Sequence, residues 1–179
     1  MKEAINLGKT AADWWRYYKE RDRGSFARLR RVNSVVEALM EPATIHLARR
    51  LGRTAPAQMT RNCILAAVLA HVREDDTRPI ARAAGRDAPN GEQMADDRTA
   101  KLKYGRFKRL MQSDDDELLD QMRRLVHLLG QKGNVADLTS SILFWGDRIQ
   151  KRWVFDYYGL GRDQQPAESD ISPAKEAKL

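Results

Sequence analysis

Cysteine is almost missing from this chain. Cys63 stands alone inside an apolar run, so no disulfide can form within the chain, and a reducing compartment fits. Histidine is scarce as well. His46, His71 and His127 lie far apart, and none sits three or four residues from another soft ligand, which leaves no zinc pattern. No glycine-rich phosphate loop and no GxSxG elbow occurs. The longest apolar run, "CILAAVLA" at 63–70, is far too short to span a bilayer, and the N-terminal "MKEAINLGKT" lacks the apolar centre of a signal peptide. β-branched alternation is absent, so nothing reads as a strand. These gaps predict a cytoplasmic protein without a membrane partner, cofactor, metal site or catalytic constellation. The one acidic run, Asp114 to Glu117, has the composition of a magnesium site, but acids also belong at the positive end of a helix dipole, and that is the reading adopted.

What is abundant is positive charge. The net charge is +7 and the isoelectric point about 9.7, which favours an anionic partner, most often nucleic acid. The excess is uneven. Residues 1–112 carry 23 Lys and Arg against 13 acids, whereas 113–179 carry 9 against 12. Arginine outnumbers lysine 22 to 10, and its planar fork suits phosphate and stacks on bases. GC-rich coding is the other source of such a ratio.

Helix formers dominate, and the pattern predicts an all-α fold of two small helical bundles with a long connecting loop. The N-terminal bundle is placed at 1–73. "TAADWWRYYKERDRG" reads as a helix capped by Thr10 and stopped by Gly24, and Ser25 can cap a second through Val32. Pro42 and Gly52 bracket another helix, and Ile64, Leu65, Val68, Leu69 and Val72 line a buried one. Residues 74–97 hold two prolines, two glycines and seven acids without apolar periodicity, and read as a loop or linker. The C-terminal bundle is placed at 98–158. Its clearest helix starts at a Ser113 cap with Asp116 completing a capping box, and the last long helix starts at Asn134 and runs through "NVADLTSSILFWGDRIQKRWVFDYYG". Residues 159–179 read as a disordered tail.

Four basic clusters stand out. Arg28, Arg30 and Arg31 cannot all share a face with Phe26 and Leu29, so part of that set must face outward. Arg49, Arg50 and Arg53 sit at a helix end, where the dipole alone accounts for cations. Lys101, Lys103, Arg106, Lys108 and Arg109 interleave with Tyr104 and Phe107. Arg148, Lys151 and Arg152 lie beside Phe144 and Phe155, a basic and aromatic seam of the kind a single-strand groove needs. Charge and spacing nominate Arg30, Arg106, Arg109, Arg123, Arg124, Lys151 and Arg152 as nucleic-acid-binding residues. Ion pairing is the competing role, since Asp120 precedes Arg124 by four residues and Asp147 precedes Lys151 by four.

The order of these motifs resembles the CasB family, small subunits of the type I-E CRISPR Cascade complex. "WWRYYKERDRGSFARLRRV" is similar to the family's N-terminal signature, and "GRFKRLM", "LLDQMRRLVHLL" and "LFWGDRIQKRWVFDYY" to its C-terminal half; the likeness covers roughly residues 10–158. The resemblance implies an all-helical, non-catalytic subunit. Its implied partners are the CRISPR RNA, the target and displaced DNA strands, the Cascade backbone and large subunits, and a second copy of itself. It implies strand-binding roles for Arg31 and Arg148, and, by a looser match, for Arg73. Two other readings are a stand-alone helical DNA-binding regulator and a scaffold subunit without nucleic-acid contacts.

Overall fold

The computed structural model describes residues 6–85 and 100–160, so residues 161–179 of the expected tail and 86–97 of the 74–97 segment lie outside it. The elements in chain order are α1 (Leu7–Arg21), α2 (Arg23–Arg31), α3 (Val35–Met40), α4 (Pro42–Arg50), α5 (Pro56–Leu69), β1 (Glu74–Asp75), α6 (Ile80–Ala84), α7 (Tyr104–Met111), α8 (Asp115–Leu128), β2 (Lys132–Gly133), α9 (Val135–Leu143) and α10 (Asp147–Tyr158). Among the described residues the fold is all-α apart from one parallel pairing, Glu74 with Lys132 and Asp75 with Gly133. Strands of two residues leave no alternation to read in sequence.

α5 is the centre. Every residue from Asn62 to Leu69 is buried, and a helix apolar on all sides must be surrounded. α2, α3, α4, α8 and α9 pack around it, and α1 lies along α9. That last approach is close at Gly8, where an added Cβ would come within 2.9 Å of the Ala136 Cβ. Buried side chains from both sides of the 74–97 segment, among them Trp14, Leu29, Leu65, Ile80, Met122, Ile142 and Trp153, form one continuous cluster. Two indole N–H groups pin α1 to its surroundings: Trp14 Nε1 donates to the Ala43 carbonyl at 3.0 Å and Trp15 Nε1 to the Val72 carbonyl at 3.1 Å.

The described part of the expected loop is tied down. Val135 N donates to Asp75 Oδ1 at 2.9 Å, Ile80 N to Asp137 Oδ2 at 2.8 Å and Asn134 Nδ2 to the Thr77 carbonyl at 3.0 Å. α6 then packs on α10.

Several expected boundaries shift. Asn6, not Thr10, caps α1. Asp22 ends α1 and caps α2, accepting from both Ser25 N and Ser25 Oγ. Asp114, not Ser113, caps α8, because the Ser113 hydroxyl is spent on the Arg109 carbonyl. Asn134 caps α9 as expected. The last long helix is two: α9 ends at Leu143 and α10 begins at Asp147.

Candidate nucleic-acid interface

The end of α1, the whole of α2 and the segment after α5 converge on a cleft of about 140 Å³. Lys19 enters from the last turn of α1. Arg23 and Arg30 come from α2, flanking Phe26 at i, i+3 and i+7 spacing, and Arg73 comes from the chain just past α5. Phe26, Ala70 and Val72 make an apolar floor. All four cations are exposed, none is ion-paired among the described residues, and no acid lines the cleft. The walls are held by polar contacts. Arg30 donates to the Ala70 carbonyl at 3.3 Å, Arg73 N donates to the Gln131 carbonyl at 2.8 Å, and Lys19 Nζ sits 4.5 Å from the Trp15 ring centroid. Four unneutralised cations around a hole this size attract an anion such as a phosphodiester and stay exchangeable with salt.

Between Ala70 and Val72 of that floor lies buried His71, 3.1 Å from His127 across the two ring nitrogens. Burial pushes the His71 imidazole down to about 4, with neighbouring Arg123, His127 and Arg30 acting in the same direction. It is neutral at pH 7 and leaves the charge of the cleft to the guanidinium and ammonium groups.

The nominated residues divide by what they already hold. Arg123 is directed inward, donating to the Val32 carbonyl at 2.7 Å and the Leu29 carbonyl at 3.4 Å. It therefore closes the C-terminal end of α2, where the helix dipole favours a cation. Arg152 pairs with Asp137 at 2.8 Å and donates to Ser141 Oγ at 2.7 Å. Arg109 pairs with Glu117 at 3.1 Å. Arg30, Arg31, Arg73, Arg106, Arg124, Arg148 and Lys151 are exposed, and none of them makes an ion pair among the described residues. The offered pairs Asp120–Arg124 and Asp147–Lys151 are not formed. Arg28 instead reaches Glu41 at 2.9 Å.

Three of the four acids of the 114–117 run are taken up by capping and pairing. Asp114 accepts from Asp116 N and Glu117 N, Asp115 pairs with Arg61, and Glu117 holds Arg109. No group of three or more potential ligands that could hold a metal ion occurs among the described residues. Burial raises the Cys63 thiol to about 11, which leaves it a core residue. No helix among the described residues is long and apolar enough to cross a membrane.

The aromatic partners also separate. Phe107 is buried and stacks on Tyr157 with centroids 3.9 Å apart, so it cannot interleave with the α7 cations, whereas Phe144 and Phe155 are about half exposed. Sequence reasoning missed Lys19 and Arg23. Their signal was the 4 and 7 spacing of Lys19, Arg23 and Arg30, obscured because a helix boundary at Asp22 falls inside it.

A family model for CRISPR-associated protein Cse2 matches residues 25–158. One chain in the crystal structure of E. coli Cascade bound to a PAM-containing double-stranded DNA target is similar in fold, with TM-score 0.59 and 20% identity, covering 82% of this chain and 93% of that one. No curated protein matches this chain in sequence.

Proposed function

The chain belongs to the Cse2 family of CRISPR-associated proteins, also called CasB, and from that premise we propose that it is the non-catalytic small subunit of a type I-E Cascade complex. In this reading it grips nucleic-acid backbone and stabilises the pairing of guide RNA with target DNA and the strand that pairing displaces. Its partners are then the CRISPR RNA, both DNA strands, the Cascade backbone and large subunits, and a second copy of itself. The E. coli Cascade chain with the same fold was crystallised in a complex bound to a DNA target, which supports the placement.

The observation that carries the reading is the cleft of Lys19, Arg23, Arg30 and Arg73, a cationic site whose lining holds no acid. Exchange of a DNA duplex for an RNA–DNA hybrid is nearly balanced, so modest contacts to backbone decide its outcome. Arg31 and Arg148 are further exposed cations outside the cleft lining. Apolar Val36, Leu39 and Met40 on α3 are exposed, a face that assembly with protein subunits would cover.

The test is charge reversal in the assembled complex. Arg23→Glu with Arg73→Glu, and separately Arg31→Glu with Arg148→Glu, should leave assembly intact. R-loop yield on a target duplex, and protection of the displaced strand, should fall. Full R-loop yield from an intact variant complex would overturn the proposal and favour a scaffold role.

A further inference from the structure

α10 carries an exposed strip of which the backbone reading uses only Arg148. At 100° per residue, Val154, Tyr158, Lys151, Phe155 and Arg148 fall in that order within an arc of about 120°, and all five are exposed. From Arg148 to Tyr158 the strip is about 15 Å long. The opposite side is anchored. Trp153 and Tyr157 are buried, Trp153 Nε1 donates to Ser141 Oγ at 2.9 Å, and Tyr157 Oη donates to the Leu102 carbonyl at 2.7 Å. The helix cannot rotate these rings away, so the strip is a fixed surface.

Its chemistry is specific. Two aromatic rings stand three residues apart, with Lys151 and Arg148 interleaved at spacings of three and four. At the corner leading into α10, exposed Phe144 already carries the guanidinium of Arg53, 5.2 Å from its ring centroid. Of the helix's two acids, Asp156 is drawn toward Arg82 on α6, 3.9 Å away; exposed Asp147 falls within the same arc, at the N-terminal end of the strip in the first turn, where the dipole accounts for it. Aliphatic partners would be matched by aliphatic side chains without cations. Flat rings with cations beside them match unpaired bases, whose faces stack while their phosphates meet the charges.

We infer that the Phe155–Tyr158 strip of α10 is a stacking platform for unpaired bases of a single strand. The inference rests on the nucleic-acid reading above and adds base contact to it. The cleft takes backbone; the strip takes bases and excludes fully paired duplex, whose bases are not available to stack.

The experiment compares two oligodeoxynucleotides of equal length and phosphate count, one of thymidines and one of abasic sites, binding to the purified full-length chain. The thymidine strand should bind about tenfold more tightly for a single stacked base. Phe155→Leu and Tyr158→Leu, at exposed positions, should abolish that difference while leaving abasic-strand affinity unchanged. Arg23→Glu with Arg73→Glu should weaken both strands alike and preserve the difference. Equal wild-type affinity for the two strands would overturn the platform while leaving the backbone reading standing, and so would leucine variants that keep the thymidine preference. Leucine variants that change only association with a second copy or another protein subunit would assign the strip to protein contact. Binding to neither strand would defeat both readings.

Discussion

A neutral histidine beneath a cationic cleft has a thermodynamic consequence. His71 has an ordinary value near 6.5, and burial beside Arg123, His127 and Arg30 pushes it down to about 4. Between these values the unfolded chain binds a proton that the folded chain refuses. Stability therefore rises with pH across this window and is lost as pH falls from about 6.5 toward 4, with a ceiling of about 3 kcal/mol. Thermal melts at intervals from pH 7 to 4.5 should show the loss, and His71→Gln should flatten the slope. His46, also lowered by burial, keeps a smaller residual slope of the same sign. A slope identical in His71→Gln would show that His71 is not the titrating group. The His71–His127 contact spans 56 positions, and no spacing rule reaches that far. Arg123 and Arg152 show the same gap between charge and role. Both were legible as cations, yet what each holds, the carbonyls of α2 or Asp137, lies on another element.

At the level of elements, the proline at the start of α4, the Asn134 cap and the unbroken apolar stretch of α5 were all readable, because each is a local constraint. The break between α9 and α10 was not. Val135, Leu138, Ile142, Trp145, Ile149 and Trp153 keep helical period across it, so the apolar pattern runs on where the backbone stops. α6 was equally hidden, since its five residues are too few for a period and their burial depends on α10. Gly85 shows that dependence. Its φ of −84° is open to any residue, but a Cβ there would collide with the backbone carbonyl of Tyr157. Gly85→Ala should thus push α6 off α10 at a cost of about 1–3 kcal/mol, the range for overpacking. Urea denaturation measures it, and Gly105→Ala, with nothing within 4 Å of its Cβ, is the matched control. Equal stability of the two variants would show that the α6–α10 contact yields without cost.

For the whole molecule, the uneven charge seen in the sequence is organised by folding into a cleft that draws on α1, α2 and the chain beyond α5. A composition argument supplies the sign of the partner but not the number of contacts, whereas a salt titration supplies that number. For a single strand the logarithm of affinity falls against the logarithm of salt with a slope of about −0.7 per neutralised phosphate. If Arg23 and Arg73 each meet one phosphate, reversing both should make the slope shallower by about 1.4 and weaken binding uniformly across sequences. A regulator reading bases from one helix would instead prefer a particular duplex, with mismatches costing about 1–3 kcal/mol each. A scaffold would show no salt-dependent binding in either the free or the assembled state. Filter binding on single and double strands at several salt concentrations separates the three outcomes. An unchanged slope in the double variant would place the phosphates outside the cleft, because a released counterion must have been displaced by a charge that the variant no longer has.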